Sequence, residues 1–320
     1  MESLVPSAGQ RKSWDRAPLL ALESARLYSD AMKLPDCITL EEPTPGYPVY
    51  VIRHAAASAR VAVNGAHVME WTPAGQTQPV LYISPDAVLQ NGKAIRGGIP
   101  VCWPWFGGHV SDPTKPMHGI ARILPWELVR ADEQGSQVTM LFRLQSNDET
   151  RALWPHEFVC HLGISFGAKL EVSLMTHNTS DAAMVITEAL HTYLSVGDIS
   201  KVTVSGLTEA RYLDTVGTPT MREGEEADIT FDREVDRQYV SPSGVVVDDP
   251  AWGRKLTINK LGSGTTVVWN PWIEKSKRLA DLPDEAYHGF LCVEAANAGE
   301  AAVRISPGGQ HVIVTTVSVG

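Results

Sequence analysis

Four short stretches of the chain carry polar groups set among apolar neighbours. Arg96 opens RGGIPVCWPWFG, a run with two glycines and with two prolines that separate Trp103, Trp105 and Phe106. His118 and Arg122 lie in MHGIAR, His191 lies in EALHTYLSV, and Glu294 interrupts the apolar run of FLCVEAAN. Taken singly, each has a plain structural reading. A histidine near apolar residues usually packs a core or its rim, and a Pro/Gly corner rich in tryptophan can plug the end of a β-core. Taken together they supply a carboxylate base, an imidazole acid and two guanidinium anchors. That set suits proton transfer on an anionic substrate without a metal.

Other chemistries lack their signatures. There is no HExxH, and His156 and His161 are five apart with no cysteine at finger spacing. No GxGxxG or GxxxxGK[ST] occurs. No metal and no cofactor are therefore expected. A net charge of −10 argues against a nucleic acid or an anionic membrane as partner, since either needs a basic face. A small anion gripped by a few converging arginines remains compatible with it. Cys37, Cys102, Cys160 and Cys292 are far apart and form no CxxC pair, which reads as reduced thiols of an intracellular protein. No apolar stretch approaches the roughly 18 residues of a membrane span. MESLVPSAGQRKSWDR has no apolar signal region. The cytoplasm is the expected location and a monomer the expected state.

The elements that must hold these groups are strands. From Arg16 to Leu34 the apolar residues recur at helical spacing, so residues 1–34 are expected to be a helical extension outside the main fold. After Pro35 the texture becomes short apolar alternations broken by Gly, Pro, Asn and Asp. Gln137–Leu144, Phe158–Phe166 and Lys169–Thr176 are expected strands, as are Val80–Ile83, Met184–His191, Ile229–Phe231 and Phe290–Ala295. Helical pattern nearly disappears apart from short turns near Asp148–Trp154 and Lys275–Leu282. Strands at this density, with no linker and no repeat, point to an all-β fold, a large antiparallel sandwich or barrel spanning 35–320 as one domain. The Arg96 stretch reads as a rigid loop: Pro100 and Pro104 oppose a helix or central strand, and Gly97 and Gly98 permit a sharp turn or a close approach.

The motifs RGGIPVCWPWFG, HGIAR, HTYL and WNPW…CVEAAN, in this order, resemble the glucose-6-phosphate 1-epimerase branch of the aldose 1-epimerase (galactose mutarotase-like) family. The resemblance runs from about Pro35 to Val317. It implies an all-β supersandwich and the interconversion of α and β anomers of a hexose 6-phosphate by ring opening and reclosure. It further implies Glu294 as general base, His191 as general acid, Arg96 and Arg122 as phosphate anchors, and His118 and Asp236 as sugar contacts. The imidazole and the carboxyl group are expected to face each other across a sugar-sized gap. Trp269 and Trp272 are read as site wall or packing, and Lys275, Lys277 and Arg278 as a solvated helix face that could assist phosphate attraction. Met117 stands where related sequences often carry glutamine, and Trp103 and Trp105 are bulkier than usual in that loop, which suggests a differently shaped pocket.

Overall fold

The computed structural model describes residues 33–320. The helix expected over Arg16–Leu34 lies outside them except for Lys33 and Leu34, which have no regular structure.

The first four strands, β1 (Ile38–Thr44), β2 (Tyr47–His54), β3 (Ala57–Ala62) and β4 (His67–Pro73), form an antiparallel meander. A two-residue strand follows, β5 (Val101–Cys102). Next come β6 (Glu127–Gln134), β7 (Gln137–Gln145), β8 (Phe158–Phe166) and β9 (Lys169–Asn178). Short strands then alternate between layers: β10 (Met184–Ile186), β11 (Glu188–Leu190), β12 (Tyr193–Ser195), β13 (Thr203–Ser205), β14 (Tyr212–Asp214) and β15 (Thr220–Arg222). The chain closes with β16 (Val235–Val240), β17 (Val245–Asp249), β18 (Arg254–Leu261), β19 (Thr265–Asn270), β20 (Phe290–Asn297), β21 (Val303–Ile305) and β22 (Gln310–Val319).

Among the described residues two sheets have eight strands each. One runs β15-β14-β16-β19-β20-β11-β5 with β12 also on β20, and the other runs β13-β17-β18-β22-β9-β8-β7-β6. The pairs are antiparallel. Period-two burial explains the layering. β8 buries Phe158, Cys160, Leu162, Ile164 and Phe166 and turns the residues between them outward. These side chains pack with Leu190, Val268 and Val293 of the other large sheet in one continuous core. Each large apolar side chain buried there contributes about 1.5–3 kcal/mol.

β19 and β20 break the alternation, since every residue of both is buried. Their inner face meets the core. Their outer face meets loops folded over it, in two small apolar clusters: Cys102, Ala189, Val267 and Ala296 with Phe106, and Tyr193, Trp269, Leu282, Phe290 and Cys292. A polar side chain on this outer face is therefore desolvated without belonging to the main core.

Several strand boundaries differ from the local pattern. Met184–His191 is two strands, because the chain changes sheets at Thr187: β10 pairs with β21 while β11 pairs with β20 and β5. At the crossing Thr187 donates its N–H to Pro104 O (3.1 Å) and accepts from Phe106 N through its hydroxyl (2.8 Å). Val80–Ile83 and Ile229–Phe231 are irregular segments that touch their neighbours by single bridges such as Leu81–Leu194 and Val204–Ile229. Among the described residues no helix is long and apolar enough to cross a membrane.

Candidate active site

Strand register sets the site. On β20, Asn297 pairs with Glu188, Ala296 with Ala189, Ala295 with Leu190, and Cys292 with Tyr193. Counting along these pairs puts Glu294 opposite His191, at the two-residue break between β11 and β12. At the break Thr192 turns its N–H back to Leu190 O (3.0 Å) while its carbonyl still accepts from Val293 N (3.0 Å), and His191 donates its N–H to Pro100 O (3.0 Å), away from β20. On the other side Glu294 pairs with Val267, which pairs with Gln238, and Cys292 pairs with Trp269, which pairs with Asp236. Side chains alternate along a strand, so two adjacent rows share the outer face. One reads Gln238–Val267–Glu294–His191 and the other Asp236–Trp269–Cys292–Tyr193.

His191 Nε2 stands 3.4 Å from Glu294 Oε1. The expectation of a sugar-sized gap between them is thus incorrect: cross-strand partners lie side by side. Burial pushes the Glu294 carboxyl well above its ordinary range, helped by the charge of Asp236 and opposed by that of Arg122. Burial pushes His191 well below its ordinary range, reinforced by His118, Arg122 and Arg96. Both groups are thereby driven toward their uncharged forms. Glu294 Oε2 and His191 Nδ1 are buried without a protein hydrogen-bond partner.

His118 reaches the same place from a strained turn. Its φ is +60°, and Gly119 after it has φ +77°, where a Cβ would lie 2.0 Å from Trp103 O. The His118 N–H donates to Gly107 O (2.7 Å) and its Nδ1 accepts from Gly107 N (3.2 Å). Nε2 must then carry the proton. Burial, with the charges of Arg122 and Arg96, pushes His118 down to about 3, so it stays a neutral N–H donor, its ring 5.8 Å from that of His191.

Arg96 is set by the two glycines after it. A Cβ on Gly97 would lie 2.5 Å from Ile83 Cα and one on Gly98 2.2 Å from Val68 O, so only glycine permits this approach. Arg96 Nε donates to Asp281 Oδ1 (3.1 Å), Nη2 lies 3.1 Å from the same oxygen, and Nη1 donates to Tyr193 Oη (3.1 Å). Three of its five N–H groups are so engaged, and each terminal nitrogen keeps one. Arg122 Nη2 donates to Met117 O (2.7 Å), while its Nε is buried without a partner.

Asp236 lies on strand β16. Lys275 Nζ holds it at 3.2 Å, holds Glu234 at 2.8 Å, and lies 5.7 Å over the Trp269 ring. Lys275 is therefore half-buried in an ion-pair cluster, whereas Lys277 and Arg278 are exposed. Trp269 is site wall, edge-on to His191 at 6.2 Å; Trp272 packs on Tyr287. Trp103 does not shape the site, because it points into the core against Trp154 and Phe158. Trp105 is 7% exposed and fastens its loop through Nε1 to Pro116 O (2.9 Å). Met117 is 56% exposed and contributes its carbonyl. Gln238, Tyr193 and Asp281 went unread in the sequence. The first two could have been found only from the register of a sheet whose strands are far apart in the chain.

Residues 48–318 match the aldose 1-epimerase family. A protein of Escherichia coli K12 named "Putative glucose-6-phosphate 1-epimerase" is 39% identical over 251 residues, covering 78% of this chain and 83% of that protein. A relative of the same name from Cenchrus ciliaris is 34% identical over 262 residues, covering 78% of each chain. A crystal structure from Salmonella typhimurium, titled a "putative mutarotase", superposes with a TM-score of 0.84 at 32% identity, covering 91% of this chain and 96% of that one. A galactose mutarotase-like protein from Clostridium acetobutylicum shares the fold at a TM-score of 0.68 and 12% identity, covering 88% and 98%.

Proposed function

The chain belongs to the aldose 1-epimerase family, and on that premise we propose that it interconverts the α and β anomers of a hexose 6-phosphate, glucose 6-phosphate first. The observation that carries this reading is the side-by-side placement of His191 and Glu294. In a pyranose the two oxygens that exchange protons, O1 and O5, are both bonded to C1. An acid and a base adjacent on one wall match adjacent oxygens; an acid and a base on opposite walls do not.

The Glu294 carboxylate takes the O1 proton while the His191 imidazolium gives one to O5, the C1–O5 bond breaks, and C1=O1 forms. The site is left with a carboxylic acid and a neutral imidazole. Rotation about C1–C2 presents the other face of the aldehyde, and the same two transfers in reverse close the ring. The two proton arrangements of the pair are thus the states before and after ring opening. Burial of both groups favours the uncharged arrangement, the one that accompanies the open chain. General acid–base catalysis of this kind contributes about 10²–10⁴-fold.

Arg96 and Arg122 are proposed to bind the phosphate. The unengaged N–H groups of Arg96 and the unpartnered Nε–H of Arg122 suit an oxyanion. Neutral His118 is proposed to donate to a sugar oxygen, and Asp236 to accept from a hydroxyl. A second reading, a mutarotase of neutral aldoses, draws on the Asp281 carboxylate already paired with Arg96. Anomer exchange followed by NMR on glucose 6-phosphate, glucose and galactose separates the two. The proposal expects the highest kcat/KM on the phosphorylated sugar, and faster exchange of a free hexose overturns it.

A further inference from the structure

The general-acid candidate lacks the usual orienting partner. A catalytic imidazole commonly has its second nitrogen fixed by a carboxylate or a carbonyl, yet His191 Nδ1 has no partner among the described protein groups. Packing holds the ring instead. Tyr193 lies parallel to it, centroids 4.8 Å apart at an interplanar angle of 9°, and Trp269 meets it edge-on. Tyr193 is 2% exposed and is fixed in turn by its pairing with Cys292 and its edge contact with Trp269 at 6.0 Å. The same residue has a second task at its other end, where its hydroxyl accepts from Arg96 Nη1 at 3.1 Å.

We infer that Tyr193 is a positioning residue with two separable functions: its ring orients the His191 imidazole over the anomeric centre, and its hydroxyl aims Arg96 at the substrate's anionic group. The hydroxyl function rests on the phosphosugar reading; the ring function holds for any aldose. The separation follows from chemistry. Removing the oxygen leaves the stacking surface intact, and replacing the ring by an aliphatic chain of similar volume removes the flat surface and the hydroxyl together. A residue that merely filled space would show neither selectivity.

The test compares Tyr193→Phe with Tyr193→Met, both measured at equal folded fraction by circular dichroism and thermal unfolding. For Tyr193→Phe the expected result is a KM for glucose 6-phosphate raised roughly tenfold, with kcat within about twofold of the parent, because a hydrogen bond to a charged group has been lost. Inhibition by inorganic phosphate should weaken by a similar factor, a readout that does not depend on which sugar is turned over. For Tyr193→Met, kcat should fall roughly 10- to 100-fold on phosphorylated and free hexose alike, as expected of a displaced proton donor. Equal kcat losses in the two variants, or phosphate inhibition unchanged in Tyr193→Phe, would overturn the assignment. If the parent protein turns over only free hexose, the phosphosugar reading fails, while the kcat comparison on that hexose still decides the ring function.

Discussion

His191, in the break between β11 and β12, sits directly across from Glu294 of β20, and their side chains touch at 3.4 Å on the outer face of the sheet. In the proposed mechanism, contact this close makes the pair one proton-exchanging unit instead of two independent catalysts. Its members should therefore be strongly non-additive. His191→Ala and Glu294→Gln are each expected to lower kcat by about 10²–10⁴-fold. The double variant should lose no more than the worse single one. Losses that multiply, measured by anomer exchange, would mean that the two groups act separately.

The pH profile follows from the same desolvation. The proposed mechanism requires the pair to carry zero net charge, whichever group holds the shared proton. Gaining a further proton charges the imidazole, whose affinity is held well below its ordinary value of 6.5. Losing one ionises the carboxyl group, whose affinity is held well above its ordinary value of 4.5. Activity should thus show an acid limb below 6.5 and an alkaline limb well above 4.5, both belonging to the pair. A single limb centred on 6.5 in a kcat/KM–pH series would contradict this.

Asp236 raises the proton affinity of Glu294 through its charge. Asp236→Asn removes that charge, so the carboxyl should ionise more easily and the alkaline limb should move to lower pH. Lys275 keeps Glu234 as a partner in this variant, which limits structural disturbance. An unmoved or upward-shifted alkaline limb would show that Asp236 does not act on Glu294 electrostatically.

Arg96→Ala removes a cation engaged by Tyr193 and Asp281 with an N–H to spare on each terminal nitrogen. Binding shared by ground and transition states should be lost, raising KM for glucose 6-phosphate by about 10–100-fold with kcat much less affected. KM for free glucose should change little. Equal effects on both sugars would assign Arg96 to structure.

The β-texture after Pro35 was legible because alternation is local: β7, β8 and β9 show their burial period directly in sequence. Glu294 could be singled out for a similar reason, as a carboxylate in an apolar run. The sheet change at Thr187 was not legible, since Met184 to His191 reads as one continuous strand. Nor was the relation of Lys275 to Asp236 and Glu234, which depends on a one-turn helix (Trp272–Ser276) reaching back over β16. Tyr193 sits in the short strand-like run HTYLSV, and only cross-strand pairing separates the ring beside His191 from an ordinary core tyrosine.

The most direct measurement is two-dimensional NMR exchange between the anomers of glucose 6-phosphate, catalysed by the parent protein and by Glu294→Gln at matched, saturating substrate. Gln keeps the shape of the side chain and removes the base. The account predicts a kcat lower by about 10²–10⁴-fold with substrate binding nearly unchanged. Exchange by the variant as fast as by the parent would contradict it.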